Sequence, residues 1–129
     1  ETGVGDLETL RNVAKASLVC MMAGADFIKT STGKESINAN LNNSLVMLRM
    51  IRDFYTKTGK KIGFKPAGGI STSKSVLEFL ILVVEELGFE WVNPKLLRIG
   101  ASSLLIDIER QLYHYTSGRY ANKEKLAIG

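Results

Sequence analysis

A chain of 129 residues, 45% hydrophobic and 23% charged, is long enough to bury a real core within one domain. A single cysteine excludes an internal disulfide, and one histidine with no close cluster of thiols or carboxylates leaves no metal-ligating set, so no metal is expected. The net charge of +4 comes from dispersed Lys and Arg without interleaved aromatics, which argues against nucleic acid, and the longest apolar stretch, Val76 to Leu87, is broken by Glu78, Glu85 and Glu86, which argues against a membrane span.

The opening Glu1-Thr2-Gly3 has neither the basic nor the apolar region of a secretory leader. With a lone thiol, a reducing cytoplasmic setting is expected. No Met opens the chain, so it reads as a processed product or a piece of something longer.

Leu7, Leu10, Ala14, Leu18 and Met21 fall at helical spacing, and Gly24 ends that first helix. Cys20 lies within it and reads as a small buried hydrophobe. A short strand, Asp26 to Thr30, leads into a polar loop, Ser31 to Asn40. A second helix carries Leu45, Leu48, Ile51 and Phe54 and closes at Thr58-Gly59-Lys60. The second strand is Ile62 to Pro66, followed by Ala67-Gly68-Gly69-Ile70-Ser71. A third helix runs from about Thr72 to Leu87, with Gly88 as its stop. The third strand is Leu97 to Gly100, and a last helix starts near Ser102 as N-cap and carries Leu105, Ile108 and Leu112. Residues 1–117 form the domain; 118–129 lose apolar periodicity and read as a tail.

The strands begin about 36 residues apart, each followed by a helix, which is the rhythm of parallel βα units. A three-stranded open sheet leaves both edges bare, so further strands are expected from upstream residues or from a partner chain. Alone, such a piece is expected to be poorly stable or to aggregate.

Lys29 and Lys65 stand at matching places, near the C-terminal ends of the first two strands. Parallel strands are normally buried on both faces, and an ammonium is costly there. Adjacent strands lie about 4.8 Å apart, so the two amines can approach one another. A lysine must be neutral to attack a carbonyl, and a neighbouring cation and a dry pocket both favour the neutral amine. The bland reading is that each lysine snorkels to solvent; it weakens for a pair on repeated strands. Three loops follow these strands: Ser31-Thr32-Gly33-Lys34, Ala67-Gly68-Gly69 and Gly100-Ala101-Ser102-Ser103. Each offers backbone N–H groups or a helix start to an anion. His114 reads as a surface or packing residue, Asp107 and Glu109 as a solvated helix face, Trp91 as a packing residue, and Asp26 as a turn or helix-support residue.

Gly24-Ala25-Asp26-Phe27-Ile28-Lys29-Thr30-Ser31-Thr32-Gly33-Lys34 resembles the Schiff-base motif of the deoxyribose-phosphate aldolase family. Gly63-Phe64-Lys65-Pro66-Ala67-Gly68-Gly69-Ile70 resembles its second-lysine motif, and Arg98-Ile99-Gly100-Ala101-Ser102-Ser103-Leu104-Leu105 its last-strand motif. The likeness runs to about Tyr120 and is strongest to the animal-type enzymes. It implies an α/β fold of the TIM-barrel type, with this chain covering the last three βα units and the preceding helix. It implies a lyase of deoxyribonucleotide and carbohydrate catabolism, cleaving 2-deoxy-D-ribose 5-phosphate to D-glyceraldehyde 3-phosphate and acetaldehyde without a cofactor. Lys29 would form the imine, Lys65 would favour the neutral amine of Lys29, and Gly33, Lys34, Gly68, Gly69, Ser102 and Ser103 would line the phosphate end. The partner so implied is a small sugar phosphate, together with a homo-oligomeric copy or the N-terminal half of the barrel. The alternative is a half-barrel that binds phosphorylated ligands or a partner chain without turnover.

Three departures from the family pattern stand out. Its acid/base aspartate belongs to the N-terminal half, outside this sequence. Ser71 stands where some members carry Arg. The tail ends in Leu126-Ala127-Ile128-Gly129 where bacterial members end in a tyrosine, and Tyr120 is the nearest substitute.

Overall fold

The computed structural model describes residues 5–122 and 126. The expected strand end at Glu1-Thr2-Gly3 and most of the closing Leu126-Ala127-Ile128-Gly129 lie outside the described residues. The fold is α/β: α1 (Leu10–Met22), β1 (Phe27–Lys29), α2 (Leu41–Thr58), β2 (Gly63–Lys65), α3 (Ser73–Leu87), a 3-10 turn (Phe89–Trp91) and α4 (Leu104–Ser117). Three helices start on side-chain caps: Thr9, Asn40 and Thr72 accept from the backbone N–H groups of Asn12, Asn43 and Ser75. Gly59 closes α2 in the left-handed region, at φ 72°.

β1 and β2 pair in parallel, with Phe27 opposite Gly63, Ile28 opposite Phe64, and Lys29 opposite Lys65. Successive side chains of a strand point to opposite faces. Ile28 and Phe64 face the helices and are wholly buried, joining Val13, Met21, Met47, Leu48, Ile51, Ile62, Val83 and Trp91 in one core. Phe27, Lys29, Gly63 and Lys65 share the other face. Trp91 packs as expected: its ring is buried, and its indole N–H donates to the Ile62 carbonyl at 3.0 Å.

The third strand differs from its expectation. Residues 97–100 make only two isolated bridges, Leu97 with Phe64 of β2 and Gly100 with Ala67 just beyond it. The physical cause is Pro66. Phe64 N–H donates to Leu96 O, Arg98 N–H to Phe64 O, and Gly100 N–H to Pro66 O. The rung that would continue the ladder needs an N–H on residue 66, and proline has none.

Two helices also differ in detail. The buried stripe of α1 is Val13, Ser17 and Met21, whereas Leu10 is 48% and Leu18 36% exposed. Ser17 is tolerated in the core because its hydroxyl donates to the Val13 carbonyl one turn back. Cys20 is only half-buried. In α4, Ser103 rather than Ser102 holds the N-cap position, and its side chain makes no capping bond. The expected α4 stripe is largely exposed, with Leu105 at 59% and Leu112 at 61%, and Leu104 is its one buried residue. α4 ends at Gly118 in the left-handed region. Among the described residues, no helix is long and apolar enough to cross a membrane, and no group of three or more His, Cys, Asp or Glu is placed to hold a metal ion.

Candidate active site

The two lysines stand where their strands end, and the chain beyond β1 is tied to the chain beyond β2. Thr30 N–H donates to the Lys65 carbonyl. The wholly buried Thr30 hydroxyl donates to Ala67 O and accepts from Ala67 N–H, both at 2.9 Å. The buried Ser31 hydroxyl reaches the same carbonyl at 2.8 Å and Asn38 Oδ1 at 3.2 Å. A threonine side chain thus extends the ladder one rung past the strands and sets the lysines side by side. Both lysines are half-buried.

The glycines around them make room. At Gly68, φ is +92°, and an added Cβ would meet Asn38 Oδ1 at 2.5 Å and Ser31 Oγ at 2.8 Å. Gly69 follows at φ +76°. Two consecutive left-handed residues turn the chain tightly at the cavity wall, a conformation that glycine adopts without a steric penalty. A Cβ at Gly100 would lie 3.3 Å from Lys65 Cε and 2.6 Å from Ala67 Cβ, so glycine there leaves space for the lysine stem. Deeper on the same face, an added Cβ at Gly63 would clash with the Phe27 ring. The Arg98 guanidinium lies over that ring at 4.3 Å.

All eight residues singled out from the sequence line one cavity of about 560 Å3: Lys29, Gly33, Lys34, Lys65, Gly68, Gly69, Ser102 and Ser103. Thr32, Ala67, Ile70, Ser71, Gly100 and Ala101 complete its walls. Three of its side chains are cationic and none is a carboxylate, so its chemistry suits an electrophilic carbonyl at the lysines and an anion at the loops. Sequence reasoning missed the bracing of the first loop. Glu35 accepts from the N–H groups of Gly5, at 2.7 Å, and Thr32, at 3.3 Å, while Asn38 donates to the Glu35 carbonyl.

It also misread Asp107, which was expected on a solvated face. Its carboxylate accepts from the N–H and hydroxyl of Ser73, at 2.7 and 2.6 Å, tying α4 to the start of α3. Those hydrogen bonds, with the Ser73 hydroxyl first, hold the Asp107 carboxyl below its usual pKa. His114 stacks on Tyr120 at 4.2 Å, away from the lysines, and Asp26 is exposed.

A model of the DeoC/LacD aldolase family matches residues 3–105. Over 117 residues the chain is 68% identical to the mouse protein named deoxyribose-phosphate aldolase, 66% to the human one and 63% to the bovine one. Each match covers 91% of this chain and 37% of the relative, so the chain spans little more than a third of their length. A crystal structure of the apo form of a Toxoplasma gondii protein, described provisionally as a deoxyribose-phosphate aldolase, superposes with a TM-score of 0.71 at 20% identity. It covers 86% of this chain and 42% of that one, a likeness of fold.

Proposed function

The chain belongs to the DeoC/LacD aldolase family, and from that premise we propose that it is the C-terminal part of a deoxyribose-phosphate aldolase working through a lysine Schiff base. In this reading the chain supplies the last three βα units of a TIM barrel and the helix before them. Its cavity lies at the C-terminal ends of the strands, where such barrels carry out their chemistry. Residues 118–129 are a tail to that domain, and the setting is cytoplasmic.

The observation that carries the proposal is the register of Lys29 with Lys65 in a cavity walled by three loops rich in glycine and serine. The Lys29 amine attacks the carbonyl carbon of open-chain 2-deoxy-D-ribose 5-phosphate, and water leaves as the imine forms. The protonated imine then accepts the electron pair released when the carbon–carbon bond breaks. The adjacent hydroxyl gives up its proton as glyceraldehyde 3-phosphate departs, the enamine left on the lysine takes a proton at carbon, and hydrolysis of the resulting imine frees acetaldehyde and the lysine. Lys65, its register partner on β2, is the second lysine of the pair. Gly33, Lys34, Gly68, Gly69, Ser102 and Ser103 take the phosphate through backbone N–H groups, hydroxyls and one ammonium. The partner required is the remaining barrel, which also has to supply a proton-transfer group, because no carboxylate lines this cavity.

Reductive trapping tests the reading. Full-length protein incubated with 2-deoxy-D-ribose 5-phosphate and borohydride is expected to gain one adduct, mapped to Lys29. A single adduct at Lys65 or elsewhere reverses the assignment. Tight phosphate-ester binding with no trapping and no turnover replaces it with a binding role.

A further inference from the structure

A second cavity, of about 230 Å3, adjoins the first and is lined by Ser71, Ser103, Ile106, Asp107 and Arg110. Ser71 and Ser103 line both cavities. These two serines are the shared wall, so an anion seated on the Gly68-Gly69 loop and the start of α4 has Arg110 on its outer side. The Arg110 side chain is half-buried, and its Nε is enclosed with no hydrogen-bond partner among the described residues. Its guanidinium lies over the Tyr120 ring at 5.6 Å, which positions the group without using its N–H donors. The carboxylate in the same cavity, Asp107, is engaged first by the hydroxyl and N–H of Ser73, and Arg110 is the weakest of its electrostatic neighbours.

The charge balance gives this cation a task. A phosphate monoester carries about −1.5 to −2 at neutral pH. The loops of the first cavity contribute one ammonium, Lys34, while Lys29 and Lys65 stand at the carbonyl end in the reading above. Ser71 and Ser103 bring hydroxyls and no charge. We infer that Arg110 reaches through the Ser71–Ser103 wall to the outer oxygens of the phosphate and sets the preference for phosphorylated over unphosphorylated substrates. The inference rests on the proposed function for the position of the phosphate. An enclosed guanidinium Nε without a protein partner is a charged donor suited to a phosphate oxygen.

The test uses full-length protein with Arg110→Gln and Arg110→Lys, each checked for fold by circular dichroism and thermal melting. Two readouts keep the two claims apart. Inorganic phosphate titrated by calorimetry is expected to bind about tenfold more weakly to Arg110→Gln and a few-fold more weakly to Arg110→Lys, which keeps the charge and loses the paired donors. In turnover, the ratio of kcat/KM for 2-deoxyribose 5-phosphate over 2-deoxyribose is expected to fall by a similar factor, through KM and not kcat. Unchanged phosphate affinity in whichever variant folds overturns the inference, as does a wild type that binds no phosphate. A wild type that binds phosphate without cleaving either sugar sinks the aldolase reading, and the calorimetry still decides the role of Arg110.

Discussion

Lys29 and Lys65 face one another across two parallel strands, and Thr30 holds them there. The Thr30 hydroxyl supplies a rung that backbone geometry alone does not, by both donating to and accepting from Ala67. Thr30→Val keeps the volume and the branched shape and removes both bonds. It leaves the Ala67 N–H without its partner, while Ala67 O retains Ser31. A buried donor left unsatisfied costs about 1–3 kcal/mol. The expected outcome in full-length protein is a lowered melting temperature and a kcat reduced more than KM is changed, because the lysine pair loses its alignment. A Thr30→Val protein with wild-type kcat would show that the strands alone set the register.

Gly100 controls the stem of the second lysine. Alanine there sets a methyl 3.3 Å from Lys65 Cε and 2.6 Å from Ala67 Cβ. The second of these contacts requires a shift of packed atoms, at about 1–3 kcal/mol for an overpacked site. Reacting groups displaced by about 1 Å lose on the order of 100-fold in rate. Gly100→Ala is therefore expected to keep its fold and lose 10- to 100-fold in kcat, on the order set by that displacement. Steady-state kinetics beside a thermal melt checks it, and a variant that melts normally at full rate would refute the steric role of Gly100.

The parts of the site that depend on pattern were readable from sequence, and those that depend on pairing were not. Lysine at the end of an apolar strand, repeated at the next strand, is a one-dimensional signal, and both residues stand in the cavity with all six loop residues. Helix stops at Gly59 and Gly88 were readable because their positive φ angles favour glycine. The third strand failed because the loss lies in its partner: Pro66 removes a rung from residues 97–100. The α1 stripe was legible only in part: Met21 is buried and Leu7 packs on the core, but Ser17, polar by composition, satisfies its own hydroxyl and goes inside, while Leu10 and Leu18 stay out. Asp107 failed because its partner, Ser73, is 34 residues away on another helix. Hydrophobic periodicity carries no information about such long-range polar pairs.

The Phe27–Gly63 pair makes a steric prediction of its own. The ring of Phe27 covers Gly63, and any Cβ at residue 63 clashes with it. Gly63→Ala alone is expected to destabilise by about 1–3 kcal/mol through overpacking. Phe27→Leu alone removes the aromatic face from Arg98 and costs about 1 kcal/mol or more. Together they should cost less than the sum, because the smaller side chain vacates the space the new methyl needs. A double-mutant cycle by urea unfolding measures this coupling; contacting residues commonly couple by about 0.5–3 kcal/mol. Strict additivity would mean that the ring and residue 63 do not share space.

Asp107 makes the acid limb of stability dependent on the α3–α4 junction. Its carboxyl is held below the ordinary value of 3.8, chiefly by the Ser73 hydroxyl and then by the Ser73 N–H. A lowered folded pKa means that the unfolded state binds the proton first as pH falls. The contribution of this group is thus fully present above about pH 3.8 and is lost as pH falls through the lower folded value. Asp107→Asn keeps an oxygen acceptor for Ser73 and cannot titrate. The difference between wild-type and Asp107→Asn melting temperatures is therefore expected to be constant near neutrality and to shrink below about pH 4. Because the main cause is a pair of short hydrogen bonds, most of that difference should survive about 1 M salt, where the screening length is near 3 Å. Parallel acid profiles for the two proteins would show that the Ser73–Asp107 bonds do not hold the charged form in solution.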